Sequence, residues 1–215
     1  MATKRTMSDL KLLEKCRITI ENLQQQPEIA ATMAQFGYDS AEINMGKALF
    51  DSARAAYDNH EQHKNLLKRK YQQFLEVKSE LQKLYRVHRM KAKLIFKNDQ
   101  VVQPQLLLTG NLPRNYIPWL ETVRTFYKVL SENPELANSL LRLKVTPEEI
   151  QEGHTLIATL EEHRSAYYQA TAETQLSTHT KEQALNSLQQ WISTLKATAK
   201  IAFMDQKGLL LAMGR

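Results

Sequence analysis

Apolar residues recur along this chain at steps of three, four and seven, and few runs of Val, Ile and Thr would suit strands. Leu10, Leu13, Cys16, Ile20 and Leu23 share one face of a helix over 7–25. Pro27 opens a short helix, its fixed φ suiting the first helical position, and Gly37 supplies the left-handed stop. Asp39-Ser40-Ala41-Glu42 is a capping signal for a third helix, because the Asp carboxylate and a Glu three residues on can satisfy free backbone donors. From there to beyond Asp99 the chain has no proline and only Gly46. An apolar stripe runs through Ile43, Phe50, Ala53, Tyr57, Leu67, Tyr71, Phe74, Leu81, Tyr85, Ala92 and Ile95 in nearly constant heptad phase. It predicts one helix over 40–98, roughly 90 Å long, with a hairpin break near 58–65 as the alternative.

The pattern then returns. Pro27-Glu28-Ile29-Ala30 recurs as Pro134-Glu135-Leu136-Ala137, Glu42-Ile43-x-x-Gly46-x-x-Leu49 as Glu149-Ile150-x-x-Gly153-x-x-Leu156, and Ala92-Lys93-x-x-Phe96 as Ala199-Lys200-x-x-Phe203, all at an offset of 107. The second copy predicts a helix over 115–132, a short helix from Pro134 and a long helix over 147–206, capped by Thr146-Pro147-Glu148-Glu149. Its polar, Thr-rich stretch 171–182 is the matching place for a break. Residues 99–114, with Pro104, Gly110 and Pro113, read as a loop, and both copies close on an apolar plug, Leu106-Leu107-Leu108-Thr109-Gly110 and Leu209-Leu210-Leu211-Ala212-Met213-Gly214. The expected fold is all-α: an internally duplicated, elongated helical bundle with two long antiparallel coiled-coil-like helices and pseudo-twofold symmetry. Its copies are 1–107 and 108–215, folded together as one unit. If the long helices break, two more compact bundles result.

Composition narrows the class. Ala, Leu, Lys, Gln and Glu dominate, while Gly and Pro number 6 each. The one cysteine, Cys16, cannot form an internal disulfide. Residues 1–20 carry charges throughout and lack an apolar leader core, and no apolar run approaches a membrane span, so a cytoplasmic protein is expected. The net charge of +6 falls within residues 1–107, residues 108–215 being neutral.

Signatures of catalysis are missing. No histidine has a carboxylate three residues before it, which argues against a carboxylate-bridged metal pair in a bundle. His60-x-x-His63 lacks a further ligand set, and no haem, phosphate-loop or hydrolase motif occurs. Cys16 reads as a buried small hydrophobe. No enzyme activity, metal, cofactor or small-molecule substrate is therefore expected. Gly46 and Gly153 stand one turn inside long helices, where glycine costs about 1 kcal/mol relative to alanine. Keeping both suggests close helix packing, with another backbone drawn near. The remaining candidate is basic: Lys83, Arg86, Arg89, Lys93 and Lys97 recur at helical spacing, with no acid between Leu81 and Asn98. Such a face could track phosphates of a nucleic acid or contact a partner; otherwise it is a solvated helix surface.

The motifs resemble those of uncharacterised bacterial helical proteins built from two tandem copies of a unit of this size. The match rests on Gly37-Tyr38-Asp39, Ile43, Gly46, Leu49, Ala92-Lys93, Phe96 and Asp99, and on Val145-Thr146, Ile150, Gly153, Leu156, Ala199-Lys200, Phe203 and Asp205. Lys144 departs from it, standing where the first copy has Gly37. The resemblance implies a fold and no activity. The function expected is that of a non-enzymatic structural or protein-interaction protein, self-associating into an oligomer or filament-like assembly. The alternative is a polyanion-binding module using the basic face 83–97.

Overall fold

A computed structural model describes residues 7–212, the side chain of Lys207 excepted. They form helices α1 (Asp9–Gln25), α2 (Pro27–Gln35), α3 (Ser40–Ile95), α4 (Val102–Gln105), α5 (Tyr116–Glu132), α6 (Pro134–Leu141), α7 (Pro147–Ala202) and α8 (Lys207–Ala212), and no strand. None is long and apolar enough to cross a membrane. Both long helices are continuous over 56 residues, with no break at 58–65 or 171–182. The heptad phase passes through those polar stretches, so nothing local stops either helix. Met213 and Gly214, at the end of the second plug, lie outside the described residues.

Helix starts follow the local chemistry. Asp39 Oδ1 accepts from the backbone N–H groups of Ala41 and Glu42, both at 3.0 Å. Thr146 and Glu149 form the full reciprocal box, each side chain 3.3 Å from the other's backbone N–H. Glu42 does not close the matching box; its carboxylate accepts the indole N–H of Trp191 at 2.8 Å. Residues 99–114 are not wholly loop. Asp99 Oδ1 caps Val101 and Val102 at 3.0 and 2.9 Å and starts the short α4, and α3 stops at Ile95 rather than 98. The ends of α2 and α6 use one geometry: Tyr38 N–H donates to Met33 O at 3.0 Å and Val145 N–H to Leu140 O at 3.2 Å. That turn needs a left-handed residue, Gly37 at φ 89 in one case and Lys144 at φ 56 in the other.

The chain divides into two compact units, one drawn from both ends of the sequence and one from its middle. Unit 1 is residues 1–65 with 172–215, and unit 2 is residues 66–171. In unit 1, Leu13, Cys16, Ile20 and Leu23 of α1 join Ile29, Met33 and Ile43, and Leu188, Trp191 and Leu195 of α7, with Phe203 just past its end, close the core. Here α3 and α7 run antiparallel, since Gly46 meets Trp191 while His60 lies 3.2 Å from Ser177. Leu209 and Leu210 pack on this core. In unit 2, Leu81, Tyr85 and Ala92 of α3 pack with Trp119, Val123, Phe126 and Tyr127 of α5 and Ile150, Ile157 and Leu160 of α7, sealed by Leu106 and Leu108.

Both long-helix glycines are buried, but neither is met by another helix backbone. A Cβ on Gly46 would collide with the indole ring of Trp191, and one on Gly153 with the ring of Tyr127. Each glycine makes room for an aromatic side chain, so the expected backbone approach is replaced by a ring lying on the helix.

Candidate interaction face and adjoining cleft

The basic residues of α3 in unit 2 separate into two groups. Lys83, Arg86 and Lys93 of α3, and Lys97 in the turn just after it, are exposed, and their side chains make no ion pair or hydrogen bond; the Lys97 backbone carbonyl accepts from Gln103 Nε2 at 2.7 Å. At 100° per residue Lys83, Arg86 and Lys93 fall within one arc of α3, and Lys97 follows in the turn after Ile95. Arg89 does not belong with them. Its side chain is half-buried and Nη2 donates to three backbone carbonyls, Leu108 at 3.0 Å, Gly110 at 3.1 Å and Leu107 at 3.5 Å. Those carbonyls belong to the turn after α4, where Leu107 sits at φ 51. The guanidinium fork thus ties that turn to α3, which removes Arg89 from the candidate contact surface. Lys91 is likewise engaged, donating to Lys144 O at 3.2 Å past the end of α6.

Sequence reasoning missed the apolar part of this face. Val87, Met90 and Leu94 are 42%, 65% and 66% exposed. They sit at one-turn steps out of phase with the buried Leu81, Tyr85, His88 and Ala92. Their spacing was the available signal, masked by the basic residues interleaved with them. The face therefore combines an exposed apolar strip with unpaired cations.

Beside it, Lys78, Lys83 and Arg86 of α3 face Arg114, Tyr116 and Trp119 across an open cleft of about 500 Å³ with no carboxylate in its lining. Tyr116 and Trp119 lie in the first turn of α5, their rings 6.2 Å apart. Arg164 stacks 4.1 Å from the Tyr116 ring centre, and Lys78 Nζ lies 5.9 Å from it. Tyr85 forms part of the wall; its hydroxyl and that of Tyr116 are buried without a hydrogen-bond partner. Burial raises both phenol pKa values, with Arg89 and Arg164 respectively opposing the rise, so both remain protonated donors at neutral pH.

Under this surface lies a buried polar chain. His88, 1% exposed, has Nδ1 3.1 Å from the Tyr127 hydroxyl and Nε2 3.4 Å from Glu149 Oε2. Burial raises the Tyr127 pKa strongly, so its hydroxyl keeps its proton and can donate to Nδ1 in the tautomer whose Nε2 proton points to Glu149. Burial also lowers the His88 pKa against the pull of Glu149, leaving a neutral ring. This chain runs from the buried His88 and Tyr127 to the partly exposed Glu149 and links α3, α5 and α7 within unit 2.

The histidine pair on α3 in unit 1 is built into side-chain packing. His60 Nδ1 lies 3.2 Å from Ser177 Oγ and 3.4 Å from Thr178 Oγ1. The His63 carbonyl accepts from Thr174 at 3.3 Å, and its ring is 3.7 Å from Glu173. Among the described residues, no cluster of three metal-ligating side chains occurs. Cys16 is buried, which pushes its thiol up to about 11 and away from nucleophilic use. No family model matches the chain, and neither the curated proteins nor the solved structures contain a match to it.

Proposed function

We propose that this chain is a non-enzymatic helical interaction protein, made of two fused copies of one helical unit, that docks an acidic amphipathic helix of another protein on α3. The observation that carries the reading is the strip of Val87, Met90 and Leu94 edged by the unpaired Lys83, Arg86, Lys93 and Lys97. Single exposed apolar residues are ordinary, but three at successive turns within one arc form a surface a partner helix can cover. The uncompensated positive edge selects an acidic partner and disfavours a second copy of the same face, which would set like charges together. The fused-copy reading is supported by the succession of 17-, 9- and 56-residue helices followed by 17-, 8- and 56-residue helices, with proline opening both short ones.

The test is fluorescence anisotropy with a synthetic helical peptide carrying leucines on one face and glutamates beside them. Binding is expected to weaken with salt, and to fall about tenfold for both Met90→Ser/Leu94→Ser and Lys93→Gln/Lys97→Gln. Binding of heparin or oligonucleotide that ignores the apolar pair but follows the cations would replace this reading with the polyanion module.

Self-assembly is a second reading, supported by a different patch. In unit 1, Ile201 and Met204 are exposed and adjoin Lys200 and Asp205 along the chain, so charges of both signs border apolar side chains. Such a patch can meet its own copy without repulsion. Light scattering is expected to find an oligomer that Ile201→Ser/Met204→Ser returns to monomer; a monomer at high concentration in the wild type refutes it.

A further inference from the structure

We propose that the cleft beside α3 in unit 2 binds a small organic anion with an aromatic body, its ring against Tyr116 and its acidic group among Lys78, Lys83, Arg86 and Arg114. The volume of about 500 Å³ lies within the range of small-molecule sites. The four cations come from two separate segments, α3 and the stretch before α5, and converge without a carboxylate to neutralise them. None of the four makes an ion pair, and only Lys78 has another engagement, its distant contact with the Tyr116 ring. The first turn of α5 adds the positive end of a helix dipole to the same wall.

The chemistry of the wall excludes simpler occupants. A divalent cation would meet four positive charges and no carboxylate. Inorganic phosphate would satisfy the charges but leave the aromatic side of the cleft uncovered. A ring covers that side, and a planar ligand can lie against the half-buried Tyr116, beside the small part of Trp119 that stays exposed, while its acid faces the cations. Tyr85, 1% exposed with its hydroxyl unpaired, stands in the same wall. The site shares Lys83 and Arg86 with the docking face but does not use Met90, Leu94, Lys93 or Lys97, so the two stand or fall separately.

Isothermal titration of the full chain with adenosine monophosphate, an aromatic dianion, tests the assignment against adenosine and inorganic phosphate. The nucleotide is expected to bind at least about tenfold more tightly than either fragment. Lys78→Gln and Arg114→Gln, both surface changes, are each expected to weaken it several-fold with an unchanged circular dichroism spectrum. Met90→Ser/Leu94→Ser is expected to leave it unaltered. Phosphate binding as tightly as the nucleotide, no effect of the Lys78 and Arg114 changes, or no heat from the nucleotide or from naphthalene sulfonate would each overturn the proposal. So would a single-stranded oligonucleotide that outcompetes the nucleotide and loses affinity equally with Lys93→Gln/Lys97→Gln, because the binding surface would then be an extended nucleic-acid track.

Discussion

Lys144→Gly isolates one backbone strain, because the same turn occurs elsewhere in the chain with glycine. Lys144 holds φ 56 at the end of α6, and Gly37 holds φ 89 at the end of α2. Left-handed backbone costs a residue with a Cβ about 1–2 kcal/mol. Glycine returns roughly 0.5–1 kcal/mol of that through its greater freedom in the unfolded chain. The Lys144 side chain is exposed and makes no ion pair, and the bond from Lys91 goes to its backbone carbonyl, which glycine keeps. The net expectation is a stabilisation of roughly 0.5–1 kcal/mol, or about 1–4 °C in Tm for a chain of this size. Gly37→Ala gives the mirror experiment. A Cβ there meets nothing within 4 Å, so its expected loss, about 1 kcal/mol, is purely conformational. Urea unfolding followed by circular dichroism measures both, and Trp119 fluorescence adds a probe in the unit that holds Lys144. An unchanged or lowered stability for Lys144→Gly, alongside the expected loss for Gly37→Ala, would refute the strain argument.

Gly153→Ala should destabilise by about 1–3 kcal/mol, because the added methyl group must displace the wholly buried Tyr127 ring; thermal unfolding that matches wild type would show that the ring can yield. His88 predicts acid sensitivity. Its folded pKa lies below the ordinary 6.5, so the unfolded chain takes up the proton first, and the stability His88 contributes is complete above about pH 6.5 and lost as pH falls below it. One such proton gives a slope of at most about 1.4 kcal/mol per pH unit. Unfolding of unit 2, read by Trp119 between neutral pH and pH 5, should show a shallower slope in His88→Gln; equal slopes would place the titration elsewhere. His60, lowered by burial and Lys181, acts with the same sign in unit 1.

What was legible in the sequence was local. Heptad phase favoured an unbroken α3 while leaving breaks near 58–65 and 171–182 open, and prolines, caps and Gly37 marked helix ends to within a few residues. These signals depend on neighbours three to seven residues away, and the helix is the structure those distances define. The role of Lys144 was half visible, since its alignment with Gly37 marked an anomaly whose left-handed backbone only coordinates could reveal.

Contacts across long separations were decided by the tertiary structure. Periodicity marks which face of a helix is apolar but not which distant segment covers it, so it could not pair residues 1–65 with 172–215 or set 66–171 apart. For the same reason it could not assign Trp191 to Gly46, Tyr127 to Gly153, or the Glu42 carboxylate to an indole 149 residues away. Charge counting grouped Arg89 with four free cations, whereas three carbonyls of a folded turn claim it. The interaction face emerged in the same way. Val87, Met90 and Leu94 become a surface only once the core has taken the opposite side of α3, because exposure is a property of what packs around a residue and not of the residue itself.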